Sequence, residues 1–483
     1  MNFSAKIWPG ISGRFRNEAG YTDVLRIAIP LIFSTGSWAV QLFFDRMFLN
    51  WYSTEALAAS MPSGILNFTL ASLFIGTASY VSTFVAQYFG SGQKRMVGPA
   101  VWQGIYISLI SGALIMLLAP YSDGIFTLVG HSAGVKEQES AYFRILCLGA
   151  MPLVASSALA GHFSGLGKTW IIMIANFAAT LENFVLDYLL IFGNFGFPEM
   201  GIRGAAVATV LSSCVTFVIY AAVMLLPAYN AEYNILGGWR FNPRLFWRII
   251  RFGLPSGIQF FLDVAGFAMF ILFVGRLGTD SLAATNIAFN INTVAFMPMI
   301  GLGIAVSVLV GQYLGKNRPD LAERGTYSGL HITILYMGGV ALLYAFAPEL
   351  FIAPYAAYAN PTEFESVARL AGILLKFVAV YCVFDAMNII FASAVKGAGD
   401  TRFVMIVTSI LSTGVLIVPC YLVLFVFDLG IYAAWSAATG YVIVLGTVFM
   451  VRFLGGKWKS MRVIEEPPVA VVARMPEAPT CHD

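Results

Sequence analysis

Residues 283–314 read AATNIAFNINTVAFMPMIGLGIAVSVLVGQYL, a run of 32 residues without a charged side chain. About 20 apolar residues are enough for a helix to cross the hydrocarbon core of a bilayer. Inside that core every backbone N–H and C=O must find a partner within the protein, and a helix meets this requirement by itself. The run therefore predicts a membrane-spanning helix.

Comparable apolar segments occupy most of the chain, and short polar or Gly/Pro-rich stretches separate them. Of the 483 residues, 59% are hydrophobic and 11% are charged, whereas soluble domains carry roughly 25% charged residues. We therefore predict an all-α membrane protein with twelve transmembrane helices. The predicted segments are 26–50, 58–88, 100–120, 141–160, 170–193, 203–227, 249–277, 283–314, 327–347, 369–394, 403–427 and 431–454.

The distribution of basic residues predicts the topology. The N-terminus, the even-numbered loops and the C-terminal tail hold 21 of the 28 Lys and Arg residues, and the odd-numbered loops hold five. Cytoplasmic loops are the ones enriched in these residues, so both termini are expected in the cytoplasm. The net charge of only +3 indicates that the protein has no nucleic-acid partner.

The chain contains an internal repeat. Residues 86–90, AQYFG, align with residues 311–315, GQYLG, at a spacing of 225, and residues 165–169 align with 397–401 at a spacing of 232. Because six helices return the chain to its starting side, we predict two six-helix lobes related by a pseudo-two-fold axis along the membrane normal. The predicted divisions are a cytoplasmic N-terminus (1–24), an N-lobe with helices 1–6 (25–227), a cytoplasmic linker (228–248), a C-lobe with helices 7–12 (249–455) and a disordered cytoplasmic tail (456–483).

Five acidic residues lie inside predicted spans, where ionisable side chains are costly and usually functional. They are Asp45, Glu182, Asp187, Asp263 and Asp385. The repeat does not duplicate them, since Asp45 aligns with Phe270 and Asp187 with Pro419. A carboxyl group in a medium of low dielectric can take and release a proton, or it can hold a hard cation such as Na⁺ together with other oxygen atoms. We therefore expect these acids to serve cation-coupled transport.

Polar neighbours extend the predicted cation site. Asn183 lies one helical turn before Asp187 on helix 5, and Thr209 supplies a hydroxyl group from helix 6. Pro30 interrupts the hydrogen bonding of helix 1 and is either a hinge or a static kink in the helix that carries Asp45.

Structural explanations of all five acids stay open at this point. Asp45 can form an ion pair with the adjacent Arg46, and Glu182 and Asp187 can face lipid headgroups at the edge of their span. Asp263 can have a structural role, and Asp385 can form an ion pair across helices. The sequence predicts neither an enzyme nor a cofactor site. Residues 161–169, GHFSGLGKT, have five residues rather than four between the glycines of a P-loop, and the His and Cys residues show no catalytic or metal-binding spacing.

The chain resembles the multidrug and toxic compound extrusion (MATE) family over about residues 20–455, and within it the NorM-type branch. The matching stretches are 43–45 (FFD), 86–90 (AQYFG), 183–187 (NFVLD), 204–209 (GAAVAT), 255–263 (PSGIQFFLD), 385–386 (DA) and 396–401 (KGAGDT). The resemblance implies a two-lobed antiporter that exports cationic, amphipathic organic compounds in exchange for Na⁺ or H⁺ and needs no cofactor.

The resemblance also implies roles for individual residues. The N-lobe cation site of the family corresponds to Asp45, Asn183, Asp187 and Thr209. If sodium is the coupling ion, Asp45 and Asp187 are its carboxylate ligands. Asp263 and Asp385 correspond to the C-lobe carboxylates of the NorM-type branch, for cation or substrate. Members of the family carry Glu where this chain has the shorter Asp263, and Glu182 is an additional candidate.

We therefore expect a monomer in the bacterial inner membrane, in contact with lipid. Its expected substrates are small organic cations. The alternative within transport is a flippase for lipid-linked saccharide, from the wider exporter superfamily. A cavity for the pyrophosphate of such a lipid needs to be strongly cationic, whereas the intramembrane charges of this chain are mostly acidic.

Overall fold

The computed structural model describes Phe15 and residues 17–129, 131–356 and 361–465. In these residues the regular elements are helices, with no strand among them. Eleven helices are long and apolar enough to span a membrane, and a bent pair supplies a twelfth. The prediction of an all-α membrane protein with twelve transmembrane helices is confirmed.

We number the spanning helices α1 to α12 in chain order; α1–α6 form the N-lobe and α7–α12 the C-lobe. Their bounds are Tyr21–Tyr52 (α1), Thr54–Gly90 (α2), Val97–Met116 (α3), Ala133–Leu148 with Ala150–Gly165 (α4), Thr169–Phe192 (α5), Ile202–Met224 (α6), Pro243–Val274 (α7), Thr279–Gly315 (α8), Pro319–Phe346 (α9), Pro361–Ala398 (α10), Thr401–Val426 (α11) and Ile431–Leu454 (α12). The two halves of α4 meet at a bend of 46°. Short helices at Ser122–Val129, Pro227–Tyr233 and Glu349–Ala356 connect spans.

Local chemistry explains several helix boundaries and irregularities. Ser53 separates α1 from α2, and its hydroxyl accepts hydrogen bonds from the first backbone N–H groups of α2, as an N-cap does. Pro30 lies inside α1, which continues as a helix on both sides of it. In α11, two π-helical stretches, Ser412–Ile417 and Leu422–Val426, flank the turn that contains Pro419. Proline cannot donate a backbone hydrogen bond, and wider turns adjust the bonding around it.

Each lobe contacts the other through a glycine that the repeat duplicates. A Cβ atom on Gly76 of α2 would lie 2.8 Å from Cα of Gly257 in α7, and one on Gly301 of α8 would lie 3.0 Å from the backbone N of Ile32 in α1. Gly76 and Gly301 are separated by the 225-residue spacing of the repeat, and so are Ile32 and Gly257. The two contacts are therefore equivalent under a pseudo-two-fold axis.

Two glutamines make a second pair of equivalent contacts at one end of the bundle. Gln87 Nε2 of the N-lobe donates to the carbonyl oxygen of Gly397 at 3.1 Å, and Gln312 Nε2 of the C-lobe donates to that of Gly165 at 2.8 Å. The donors are separated by 225 residues and the acceptors by 232, the two spacings of the repeat. The predicted pseudo-two-fold relation between two six-helix lobes is confirmed.

Replacing Gly90 by alanine is expected to lower the free energy of unfolding by about 1–3 kcal/mol, the usual cost of overpacking. A Cβ atom at Gly90 would lie 2.0 Å from the backbone oxygen of Gln312, so α2 and α8 would have to separate. Thermal unfolding of the purified protein measures the effect. Gly64→Ala is the matched control, because it lies in the same span and its Cβ would meet nothing within 4 Å. Equal melting temperatures of the two variants would contradict this prediction.

The C-terminal segment packs against the bundle, whereas we expected a disordered tail from residue 456. Val463 is fully buried, and its N–H donates to Gln87 Oε1 at 2.9 Å. Glu465 forms an ion pair with Arg248 at 2.8 Å. The expectation came from prolines that begin only at Pro467, and burial of the apolar side chains before them offsets the entropy lost on ordering. Residues 466–483 lie outside the described part of the chain.

Candidate functional site

Two aspartates far apart in the chain meet inside the N-lobe. Asp45 lies on α1 and Asp187 on α5, and these helices pack against each other. The carboxyl groups are within hydrogen-bonding reach of each other, and the residues are buried, with 7% and 0% of their surfaces exposed. Two ionised carboxylates in contact repel each other, so a proton or a bound cation between them stabilises the pair.

The predicted partners Asn183 and Thr209 are near this pair. Asn183 is as buried as Asp187, and neither polar atom of its amide has a hydrogen-bond partner among the described residues. One oxygen of Asp45 and both of Asp187 also lack a donor there. Buried polar atoms are nearly always paired, so this group of atoms is suited to hold a ligand. The Thr209 hydroxyl donates to the carbonyl oxygen of Ala205 at 3.0 Å.

Tyr142 of α4 belongs to the same group and was missed from the sequence. Its side chain is 8% exposed, hydrogen-bonds with Thr209, and lies close enough to Asp45 and Asp187 to feel their charges. A phenol hydroxyl can donate to a carboxylate or offer its oxygen to a cation. The sequence offered no signal for it, because a tyrosine near the start of an apolar span is ordinary.

The chemistry of these side chains is suited to binding a proton or a hard monovalent cation. Carboxylate, amide and hydroxyl oxygens are the ligands that hard cations take. The described residues contain no cluster of three or more His, Cys, Asp and Glu side chains that could hold a metal ion. Asp45 is buried while Arg46 is exposed; the charge of Arg46 acts on Asp45, but no ion pair within 4.0 Å joins the two among the described residues. Asp45 and Asp187 are the residues that would hold Na⁺.

Glu182 lies beside this group rather than within it. The residue is partly buried on α5, and one of its oxygens is buried without a hydrogen-bond partner among the described residues. Its charge acts on Asp187 and on Cys214. When ionised, it therefore adds negative potential around Asp187.

A cavity of about 400 Å³ adjoins the aspartate pair, and Thr209 is part of its wall. Most of its polar lining consists of neutral hydroxyl and amide groups. Asn176 Nδ2 donates to Ser34 Oγ at 2.5 Å, and the Tyr220 hydroxyl donates to Asn176 Oδ1 at 3.0 Å. This surface offers hydrogen bonds to water or to a polar ligand, without charges of its own.

The C-lobe acids line a second cavity, of about 330 Å³. Asp263 lies on α7 and Asp385 on α10, and the charges of Lys396 and Asp385 both act on Asp263. Asn388 Nδ2 donates to Asp385 Oδ1 at 3.2 Å, and the Gln259 amide donates to Asp263. Aromatic side chains form much of the remaining wall; they include Phe267, Phe289, Phe296, Tyr381 and Tyr441.

The basic partner in this cavity is Lys396, which sequence analysis noted only as part of a matching stretch. Its Nζ donates to Gln259 Oε1 at 3.0 Å, and Gln259 in turn holds Asp263. Lys376, the lysine nearest to Asp385 in the sequence, is exposed instead. The signal available in the sequence was the spacing of eleven residues between Asp385 and Lys396, about three helical turns, which places both on one face of α10.

Several known proteins are similar to this chain in sequence or in fold. Residues 30–189 and 255–422 match the MatE family. "Probable multidrug resistance protein NorM" from Thermotoga maritima is 26% identical over 92% of this chain and 94% of its own length, and the Synechocystis sp. protein of the same name is 28% identical over 89% and 92%. A solved MOP superfamily transporter from Pyrococcus furiosus superposes with a TM-score of 0.82 at 21% identity, over 94% of this chain and 99% of its own.

The matched segments cover α1 to α5 and α7 to α11, and so include the aspartates of both lobes. They fall in both halves of the repeat and leave out the region between the lobes. Transporters of this family need no cofactor. The chain is a multi-pass membrane protein that belongs to the MatE family of transporters.

Proposed function

We propose that this protein is a secondary antiporter that exports cationic, amphipathic organic compounds in exchange for Na⁺ or H⁺. Asp45 and Asp187 bind the coupling cation, and Asn183, Thr209 and Tyr142 complete its polar surroundings. The observation that carries the proposal is the contact between two buried carboxylates in only one lobe of a duplicated scaffold. Such a pair attracts one positive charge strongly. The names of the relatives, which are multidrug resistance proteins, support export of organic compounds.

Coupling requires that cation and substrate favour different arrangements of the two lobes. A cation between Asp45 and Asp187 removes the repulsion between the carboxylates and draws α1 and α5 together. We propose that this favours the arrangement that releases substrate outward. Each ligand shifts the equilibrium only by its difference in affinity for the two arrangements. Pro30 lies on the same helix as Asp45, so a hinge there would link the cation site to the movement of α1.

The remaining acids serve the substrate in this proposal. Asp263 and Asp385 receive its cationic group within the aromatic walls of the C-lobe cavity. Glu182 is an additional candidate that increases the negative potential near Asp187. The proposal assigns the protein no enzymatic activity.

The arrangement in the membrane follows from the basic residues and the repeat. We place the protein in the bacterial inner membrane with both termini in the cytoplasm, with lobes at 25–227 and 249–455 joined by a linker at 228–248. A single chain contains both lobes, so a monomer forms the complete transport path.

Accumulation of a fluorescent organic cation in everted membrane vesicles tests the function. An imposed Na⁺ gradient drives one arm and a proton gradient drives the other. We expect uptake in at least one arm, lost when an ionophore collapses that gradient. Vesicles without the protein are the control.

No uptake in either arm, with the protein present in the membrane, would overturn the antiporter proposal. The next test would then be translocation of a lipid-linked pyrophosphate. A flippase would move this lipid in the same vesicles without any cation gradient.

A further inference from the structure

The C-terminal segment crosses the boundary between the two lobes at the end of the bundle where α1 and α7 begin. Residues 461–465 follow α12 and a short helix at Lys457–Ser460. Although α12 belongs to the C-lobe, this segment reaches Gln87 near the end of α2 in the N-lobe. We call residues 461–465 the latch segment, because it contacts both lobes in the arrangement that the structure shows.

The C-lobe holds the base of the latch segment. Lys459 Nζ, just before the segment, donates to Glu323 Oε2 of α9 at 2.6 Å. Val463 packs against Gly399 between α10 and α11, where a Cβ atom on the glycine would lie 2.9 Å from Val463 Cγ1. Since these partners all belong to the C-lobe, the segment would move with that lobe if the two lobes separated.

The N-lobe partner of the latch segment is the side chain of Gln87, which is fully buried. Its Oε1 accepts a hydrogen bond from the Val463 N–H at 2.9 Å, while its Nε2 donates to the Gly397 carbonyl oxygen at 3.1 Å. Both bonds join the N-lobe to backbone groups of the C-lobe. Separation of the lobes at this end would break the two bonds together, and a buried amide without partners is costly until water reaches it.

The bond to the latch segment has no counterpart among the described residues of the other half of the repeat. Gln312, the equivalent of Gln87, makes a side-chain hydrogen bond only to Gly165 in the part of the chain that the structure describes. The stretch that follows α6 packs within its own lobe instead, where Trp102 Nε1 donates to the Ile235 carbonyl oxygen at 2.9 Å. A contact made once in a duplicated scaffold is not required for the packing that both halves share.

Burial contributes most of the stabilisation that the latch segment provides. The side chains of Val463 and Ile464 are 0% and 6% exposed, and removal of apolar surface from water is favourable in proportion to its area. Glu465 pairs with Arg248 at 2.8 Å, but its side chain is 79% exposed, and exposed ion pairs contribute little. Detachment of the segment therefore depends on Val463 and Ile464 rather than on the ion pair.

We propose that residues 461–465 are a latch that holds the two lobes together at this end of the bundle and has to detach before this end can open. This inference rests on the proposed export function, since exchange across a membrane requires arrangements that are open to either side. With the termini in the cytoplasm, as proposed above, the latch closes the cytoplasmic entrance to the space between the lobes. It shifts the equilibrium toward the closed arrangement by the free energy of the contacts that only this arrangement allows.

Distances across this end, measured by pulsed electron paramagnetic resonance in lipid nanodiscs, test the inference. The spin labels are attached at Arg95→Cys in the N-lobe and Arg324→Cys in the C-lobe, both exposed near this end, in a chain whose five native cysteines are replaced by alanine. Neither substrate nor an ion gradient is present. The test variant ends at Ser460, and the matched control ends at Glu465 and so keeps the latch.

In the chain that ends at Ser460, the ratio of the open to the closed population is expected to rise about tenfold, which corresponds to 1.4 kcal/mol. The chain that ends at Glu465 should keep the distance distribution of the full-length protein. Equal distributions in the two shortened chains would overturn the inference.

Val463→Asp detaches the latch without shortening the chain. A carboxylate at this fully buried position is costly, so we expect a distance distribution like that of the chain that ends at Ser460. Glu465→Gln is its control, because it removes only the exposed ion pair with Arg248. An unchanged distribution in Val463→Asp, or an equal change in Glu465→Gln, would contradict the latch. If the chain that ends at Ser460 does not fold, this pair of variants decides the question.

The outcomes of this test and of the vesicle test can be told apart. The distance measurement uses no gradient, so its result does not depend on coupling. Opening on removal of the latch, without gradient-driven uptake by the full-length protein, would contradict the antiporter proposal alone. Uptake by the full-length protein, with distances that the latch does not affect, would contradict this inference alone.

Discussion

Replacing Asp45 by asparagine is expected to abolish gradient-driven export while the amount of folded protein in the membrane stays unchanged. Asparagine has nearly the shape of aspartate but carries no charge and takes up no proton at physiological pH. The variant leaves Asp187 without the second carboxylate that completes the cation site. Vesicle uptake under the gradient that drives the wild-type protein measures the loss, which we expect to reach at least about tenfold, or 1.4 kcal/mol of coupling free energy.

Two companion variants make the test specific. Asp123→Asn is the control, because Asp123 is an exposed residue that pairs with Arg144 on the surface, where an ion pair contributes little. Asp187→Asn should match Asp45→Asn, and the double variant should be no worse than either single one, since the two residues act as one site. Normal export by Asp45→Asn, or an equal loss in Asp123→Asn, would contradict the assignment.

Trp458→Ala is expected to lower the free energy of unfolding by about 3–5 kcal/mol, the range for loss of a large buried aromatic side chain. Trp458 is 1% exposed. Its indole is stacked on Phe453 with ring centroids 4.8 Å apart, and its Nε1 donates to the Phe453 carbonyl oxygen at 2.8 Å. The substitution removes this packing and loosens the C-terminal segment up to Val463, whose N–H donates to Gln87 of α2. Thermal unfolding of the purified protein measures the change.

Trp247→Ala is the control for this substitution. Trp247 lies on α7 and is 66% exposed, so its replacement leaves no cavity in the protein interior. We expect its melting temperature to remain close to that of the wild-type protein. If Trp458→Ala unfolds at the same temperature as Trp247→Ala, residues 456–465 do not contribute to stability as their packing indicates.

The helices and the two lobes could be predicted from the sequence because both follow from patterns of residues along the chain. The apolar run at 283–314 and its counterparts specify spanning helices, since the bilayer imposes one requirement on every backbone group that it surrounds. The spacings of 225 and 232 residues predict the symmetry, and the equivalent contacts of Gln87 and Gln312 realise it. The tail shows the limit of such patterns. Its proline content suggested disorder, while the burial of Val463 depends on a surface formed by distant helices.

The sequence identified most residues of the candidate site one by one, but it did not show which of them come together in the folded protein. A carboxylate within an apolar span stands out by its cost alone, so Asp45, Asp187 and Asp385 could be named without a structure. Tyr142 could not, because a tyrosine near a span end is ordinary in a linear sequence, and the only signal for Lys396 was its spacing of eleven residues from Asp385. Their importance depends on which atoms surround them in the folded protein.

By itself, the sequence determined that this protein is a duplicated bundle of membrane helices with acids in its interior. Hydropathy and repetition are properties of neighbouring residues and fixed spacings, and they need no knowledge of how helices pack. Only the tertiary structure decided that Asp45 meets Asp187 and that Lys396 shares a cavity with Asp263. Electrostatic interactions depend on distance and on the surrounding medium, and packing of helices remote in the chain sets both.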